Sequence, residues 1–317
     1  MEVVYGTNEN RKLDRHTGVG LGNFDGLHIG HMALINTLIN ESKLNNLDSV
    51  VYTFSKHTGN ILRKKLFTPL LTTLDKKIEF LNETSLKYLY FDEFDEDFSR
   101  IKPESFVKNI LVERLKMRLA VVGFDYRFGY KGGGNVEFLK ELGKKYNFSV
   151  IVIPPIKVDG EIVSSTLIRE NITRGNMNKV FKFLGRHYSI AGEVESGRKV
   201  GRVLGFPTAN IIPEEYTALP HEGVYATKTL LNGVLYNSVT NIGRNPTFKD
   251  AGKLTVETHI LDFEDDIYGK SIEVFFIERL RKEKKFEGTD ELIRQIQKDV
   301  KAAGDYFLDR SAGRVVK

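Results

Sequence analysis

The stretch TGVGLGNFDGLHIGH, Thr17 to His31, decides the fold of the first half of the chain. Thr17-Gly18-Val19-Gly20-Leu21 is apolar enough for a short buried strand, and Met32-Ala33-Leu34-Ile35-Asn36-Thr37-Leu38-Ile39 reads as a helix. Between them, Gly22 to His31 carries two imidazoles three residues apart where strand hands over to helix. His28 and His31 are expected on one face near the helix start. Unpaired amides and the positive dipole end there favour an anion, and Gly22, Gly26 and Gly30 let a bulky ligand approach the backbone. Gly22, Asn23, Phe24, Asp25 and Gly26 are therefore expected to bind phosphates. A lone HxxH pair is as often a turn with two surface histidines. Here glycine and Asp25 fill the loop, which predicts that little of it serves packing. The glycines at 18, 20 and 22 alternate within the strand and do not follow GxGxxG, so the dinucleotide-binding fingerprint does not fit.

Working outward, Ser49-Val50-Val51-Tyr52-Thr53-Phe54, Lys87 to Phe91, Leu119 to Gly123 and Ser149 to Ile153 read as further strands, with helical pattern over Pro103 to Met117 and Val136 to Tyr146. Strands separated by helices predict a parallel sheet with helices on both faces and ligands beyond the carboxyl ends of the strands. Ser164-Ser165-Thr166-Leu167-Ile168-Arg169 follows the last strand and opens a helix. By itself it is a serine N-cap with a solvent arginine. Beside the histidine pair it becomes the other half of a triphosphate clamp: Ser164, Ser165 and Thr166 bind phosphate oxygens, and Arg169 holds the departing pyrophosphate bidentately.

GNFDGLHIGH resembles the HxGH nucleotidyltransferases, and Ser164 to Arg169 resembles the SSTxIR motif of bacterial FMN adenylyltransferases. The resemblance implies a Rossmann-like α/β domain in which His28, His31 and Arg169 are catalytic. Gly123-Phe124-Asp125-Tyr126-Arg127-Phe128-Gly129 is similar to that family's GxDFRFG element, and Leu71 to Lys77 to its LTTLEEK stretch. Phe54, Asp125, Arg127 and Phe128 are then flavin-binding. Where the family has an FDPHP-like run this chain has Phe54-Ser55-Lys56-His57-Thr58, which keeps the aromatic and the histidine but loses the proline.

From Ile172 to Leu184 helical pattern continues, and after Gly185 it gives way to alternation, which places a junction near residue 185. Tyr188 to Val194, Gly223 to Leu231, Leu235 to Ile242, Leu254 to Leu261 and Ser271 to Ile277 read as strands, and Asn232-Gly233 is a hairpin signal. A small, mainly antiparallel β-barrel with Thr289 to Leu308 as a packing helix is expected. Within it, Gly197 to Asn210, GRKVGRVLGFPTAN, suits a phosphate-covering loop, and Thr208 with Asn210 offers two oxygens to a hard cation. This segment resembles the GRxLGFPTAN signature of riboflavin kinases, although Gly197-Arg198-Lys199-Val200-Gly201-Arg202 departs from the usual GxGRGR. Gly223-Val224-Tyr225-Ala226, Asn241 to Phe248, Glu257-Thr258-His259 and Asp266-Ile267-Tyr268-Gly269 resemble further elements of that family. The resemblance implies that Gly201, Arg202 and Gly205 bind ATP, that Thr208 and Asn210 hold Mg²⁺, and that Glu257 is the base a hydroxyl nucleophile requires.

Composition bounds these readings. A length of 317 residues predicts two domains, taken as 1–185 and 186–317. The absence of cysteine excludes disulfides and thiolate catalysis. No apolar run long enough for a membrane span and no signal-peptide pattern is seen, which predicts a cytoplasmic protein without a membrane partner. A net charge of +5, spread among acidic residues, suits phosphorylated small molecules better than nucleic acid. Together the resemblances imply a bifunctional flavin enzyme: riboflavin and ATP give FMN in the second domain, FMN and ATP give FAD in the first, each with Mg²⁺. A nucleotidyltransferase for another phosphorylated substrate and a flavin- or RNA-binding regulator on the same fold are the alternatives. Self-association stays open.

Overall fold

The structure is a computed structural model that describes residues 1–6, 12–55, 68–195, 204–214, 216–244 and 254–311, with side chains to 308. The expected readings at Lys56, His57 and Thr58, at Gly197 to Arg202, and at Asn245 to Phe248 lie outside the described residues. The chain divides into two compact units, Met1–Ser165 and Thr166–Lys317.

In the first unit a parallel sheet holds β1 (Glu2–Tyr5), β2 (Thr17–Leu21), β3 (Asp48–Phe54), β4 (Tyr88–Asp92), β5 (Met117–Gly123) and β6 (Ser149–Ile153), in the order β1-β4-β3-β2-β5-β6. Its strands are apolar on both faces because both are covered. Residues alternate between two cores: Val51, Leu89, Leu119 and Val121 meet the helices Ile29–Leu44 and Leu74–Asn82, whereas Val50, Tyr52, Tyr90 and Ala120 meet the helical segment 103–114 and helix Val136–Tyr146. Gly18 and Gly20 explain the alternating glycines of β2. A Cβ at Gly18 would stand 2.2 Å from Ser42 Oγ and one at Gly20 3.0 Å from a Leu38 methyl, so their absence lets helix Ile29–Leu44 lie close on the central strand.

Two helical expectations are corrected. Pro103 to Met117 is helical only to Arg114: it starts as an α-turn and continues as a π-helix, Phe106–Arg114, closed by Leu115 N–H donating to Ile110 O at 3.0 Å. Lys116 then takes φ +51 and Met117 opens β5. Ile172 to Leu184 is broken where Gly175 takes φ +76, giving helices Ser165–Arg174 and Met177–Leu184. β1 and the short hairpin of β7 (Lys157–Val158) and β8 (Glu161–Ile162) have no counterpart in the sequence reading.

The second unit contains a closed antiparallel barrel of β9 (Tyr188–Glu195), β10 (Ala209–Pro213), β11 (Gly223–Leu231), β12 (Val234–Arg244), β13 (Leu254–Ile260) and β14 (Ser271–Arg281), ordered β10-β13-β12-β11-β14-β9. Asn232 and Gly233, at φ +51 and +80, make the expected two-residue turn between β11 and β12. The helices Ser165–Arg174 and Met177–Leu184, which precede the expected junction near residue 185, fall with this unit beyond Ser165. Helix Thr289–Ser311 covers the outer face of Val224, Ala226 and Val239 with Val300, Ala303 and Phe307. Arg281 pins it through a bidentate pair to Asp299, Nε to Oδ1 at 2.9 Å and Nη2 to Oδ2 at 2.8 Å.

Inside the barrel five buried hydroxyls are joined in a chain. Thr229 donates to Ser238 at 2.8 Å, Ser238 meets Thr227 at 2.8 Å, Thr227 meets Thr240 at 2.8 Å, and Thr240 meets Thr258 at 2.9 Å. Thr240→Val keeps the shape but takes a partner from both Thr227 and Thr258. It is expected to lower stability by about 1–3 kcal/mol in a denaturant titration. An unchanged midpoint would show that the chain contributes nothing to stability.

Candidate functional site

The segment Gly22 to His31 leaves the carboxyl end of β2 and enters helix Ile29–Leu44. His28 is the N-cap: its Nδ1 accepts from the backbone N–H of His31 at 3.2 Å. That bond requires a lone pair on Nδ1, so a neutral His28 carries its proton on Nε2. The two imidazoles stack with centroids 3.6 Å apart and planes 16° apart, and Phe24 meets the edge of His31 at 5.4 Å. Gly30 has to be small here, because a Cβ would stand 3.2 Å from the His28 ring. The sequence-predicted pair is thus one unit at the positive end of a 16-residue helix, where anions are favoured.

The loop is not the packing-free turn its glycines predict. Phe24 and Leu27 are fully buried in the core although both take positive φ, +48 and +40. Asp25 is buried as well: its Oδ1 accepts from Leu71 N–H at 3.0 Å and Thr72 N–H at 3.1 Å, and its carbonyl accepts from Ser165 Oγ at 2.8 Å. The Asn23 carbonyl accepts from Thr53 Oγ1 at 3.2 Å and from Lys77 Nζ at 2.9 Å. Phe24 and Asp25 therefore serve the loop's conformation, Gly26 and His28 are buried with them, and Gly22 is half-buried. Lys77, in the LTTLDKK stretch, was given no role by its sequence.

Ser164 precedes helix Ser165–Arg174; Ser165 Oγ donates to the Asp25 carbonyl within the first unit, Thr166 is exposed and Arg169 is half-buried. Of the flavin-side candidates, Phe54 ends β3 and packs edge-on against Phe94 and Phe98 at 5.1 and 5.2 Å. Phe128 is buried, stacks on Tyr126 at 5.6 Å and lies 6.0 Å from Phe106. Asp125 and Arg127 alternate with these rings and are exposed. The aromatic wall continues into Tyr52, whose hydroxyl donates to Asp92 at 2.8 Å, and burial with the Asp92 carboxylate pushes the Tyr52 phenol well above its usual range. Phe94 and Phe98 have nothing but their aromaticity to mark them in the sequence, and Tyr126 enters it only within the Gly123 to Gly129 element.

In the barrel, Asn210 on β10 stands opposite Glu257 on β13, and Glu257 stands opposite Asn241 on β12. Directly opposed residues project to the same face, so register builds an Asn210–Glu257–Asn241 row. Burial, and then the neighbouring Glu283 carboxylate, raise the Glu257 carboxyl above the ordinary range. Thr208 lies just before β10 and lines a cavity of about 330 Å³ with Ala209, Thr258, Ile260, Asp266 and Tyr268. His259, in the same strand as Glu257, has Nδ1 2.8 Å from Pro207 O. Gly205 is exposed at φ +83. Gly201 and Arg202 lie outside the described residues. No helix among the described residues is long and apolar enough to cross a membrane.

The two halves match different families. The FAD synthetase family model matches residues 10–167 and the riboflavin kinase model residues 184–307. Relatives match along almost the whole chain: the bifunctional riboflavin kinase/FMN adenylyltransferase of Buchnera aphidicola subsp. Schizaphis graminum is 35% identical over 97% of this chain and 99% of that one. The Listeria monocytogenes protein of the same description is 37% identical over 91% and 92%. A Streptococcus pneumoniae crystal structure described as a macrolide-efflux protein superposes with a TM-score of 0.86 at 28% identity, covering 96% of this chain and 99% of that one. With a flavin-synthesising match to each half and relatives that span both, the chain belongs to the bifunctional riboflavin kinase/FMN adenylyltransferase family, phosphorylating riboflavin to FMN and adenylylating FMN to FAD with ATP as co-substrate.

Proposed function

We propose that adenylyl transfer in the domain 1–185 is carried by the His28–His31 pair and Arg169, and phosphoryl transfer in the domain 186–317 by Glu257 with Thr208 and Asn210. The observation that carries the first assignment is the stacked histidine pair at a helix N-terminus. In that reaction an oxygen of the FMN phosphate attacks the α-phosphorus of ATP, the bond from that phosphorus to the bridging oxygen breaks, and pyrophosphate leaves. The nucleophile is already an anion at neutral pH, since a phosphate monoester has a second pKa of about 6. No base is needed, and the protein's work is to align two anions and offset their charge. His28 Nε2–H and His31 meet the α-phosphoryl group. Ser164, Ser165, Thr166 and the amides around Gly22 to Gly26 take phosphate oxygens, and Arg169 takes the leaving pyrophosphate. Phe54 and Phe128 offer ring faces and edges to the flavin, with Asp125 and Arg127 between.

The kinase has a hydroxyl nucleophile and therefore needs a base. The terminal hydroxyl of the riboflavin side chain attacks the γ-phosphorus, ADP leaves, and Glu257 accepts the hydroxyl proton late in the transfer. Its raised pKa supports that role. Thr208 and Asn210 supply the hard neutral oxygens that suit Mg²⁺, and the described residues contain no cluster of three or more His, Cys, Asp or Glu able to cage a metal alone. That donor set fits a cation whose other ligands are phosphates and water. Thr208 and Asn210 would hold Mg²⁺, and the ion would supply charge neutralisation to the nucleotide phosphates. Gly201, Arg202 and Gly205 cover the nucleotide. ATP as co-substrate and the cysteine-free composition support a cytoplasmic setting.

Incubation with riboflavin, ATP and Mg²⁺, with flavins resolved over time, is expected to give FMN and then FAD; FMN alone would remove the assignment of the first domain. His28→Ala and His31→Ala are each expected to slow FAD formation from supplied FMN by about 10²-fold or more while leaving FMN formation intact. Normal FAD rates in both would take the pair out of the mechanism. Glu257→Gln is expected to slow FMN formation by roughly 10²–10⁴-fold and to spare FAD formation from supplied FMN. A normal kinase rate in that variant would sink the base assignment.

A further inference from the structure

Lys77 is among the most buried charged side chains of the first unit, at 7% exposed, and it sits behind the phosphate loop. It lies in the first half of helix Leu74–Asn82 and its Nζ donates to the Asn23 carbonyl at 2.9 Å. The segment leading into that helix holds the same loop at a second point, where Leu71 and Thr72 N–H groups donate to Asp25 Oδ1. Two facts argue that Lys77 is not there for packing. A buried ammonium costs stability where an apolar chain of similar length would not. That cost is visible in its acidity: burial lowers the ammonium from the usual lysine range to about 8, with Asp25 pulling it part of the way back. The loop also needs holding, since Phe24 and Leu27 take left-handed backbone angles that non-glycine residues keep only when their surroundings impose them.

We propose that Lys77 is a positioning residue for adenylyl transfer, holding the Asn23 carbonyl back into the scaffold so that the loop presents amides and His28, and no carbonyl oxygen, to the phosphates. A carbonyl turned toward a triphosphate repels it, whereas one satisfied from behind leaves the N–H side forward. The proposal rests on the reading of Gly22 to His31 as the adenylyl-transfer loop. The kinase half of the same chain provides an internal control.

The test compares Lys77→Met, Lys77→Arg and His28→Ala in the full chain, measuring FAD formation from FMN and ATP and FMN formation from riboflavin and ATP. Lys77→Met is expected to lower kcat for FAD formation by about ten- to a hundredfold and to raise the KM for ATP, with the KM for FMN and the kinase rate within about twofold. Lys77→Arg is expected to recover most of the loss. Wild-type FAD formation by Lys77→Met, with His28→Ala impaired, overturns the role of Lys77 alone. A rise in the KM for FMN together with a lower melting temperature and no recovery by Lys77→Arg shows that Lys77 serves only the fold, and equally overturns it. Impaired Lys77→Met with normal His28→Ala shows that the loop is not the adenylyl-transfer site, and the reading beneath the proposal falls with it.

Discussion

The placement of the histidine pair in the first unit depends on a loop held in a conformation the chain would not choose. Phe24 and Leu27 at positive φ cost of order 1–3 kcal/mol each. Burying their side chains returns roughly 1.5–3 kcal/mol apiece. The balance is close enough that polar anchors decide it: Asp25 on two backbone amides, the Asn23 carbonyl on Thr53 and Lys77, the Asp25 carbonyl on Ser165. Core residues and anchors share one side of the loop. The same anchors fix the turn that delivers the imidazole pair to the start of helix Ile29–Leu44.

The two units illustrate how the nucleophile dictates the architecture of its site. A phosphate needs alignment and charge, and a parallel sheet supplies both at one edge, where loops gather and helices begin. A hydroxyl needs a carboxylate held at a fixed distance from the hard oxygens that order its phosphate donor. Antiparallel register brings Asn210, Glu257 and Asn241 abreast by backbone pairing alone, and Thr208 stands one residue before β10.

Legibility from sequence follows the same division. The His28–His31 unit was readable because its parts are local: a strand, a glycine loop and a helix within fifteen residues. β11 and the helix Val136–Tyr146 matched to the residue because period and turn signals agree there. Where geometry departs from local pattern the reading failed. The π-helix keeps the apolar spacing of an α-helix to Arg114 while changing its hydrogen bonds, and Gly175 interrupts a run whose periodicity is otherwise continuous. β10 is hidden in the sequence because Ala209 and Asn210 end the phosphate-loop signature and only Ile211 and Ile212 follow before Pro213, too short a run to read as a strand. Lys77 was unreadable for a different reason. A lysine in a helical stretch is ordinarily solvated, and what makes this one matter is a carbonyl 54 residues away.

The hydroxyl chain in the barrel connects fold to chemistry through register. Because side chains alternate along a strand, Thr258 pointing inward to Thr240 obliges Glu257 to project to the other face, beside Asn210 and Asn241. A one-residue slip of β13 would turn Glu257 inward and take from Thr258 its bond to Thr240. An all-aliphatic interior would tolerate such a slip more easily, since apolar contacts are not directional. Directional bonds between Thr227, Ser238, Thr229, Thr240 and Thr258 are satisfied in one register only. The polar core of the barrel thus specifies the strand alignment on which the position of Glu257 depends, and Thr258 carries it to the wall of the cavity that Thr208 lines.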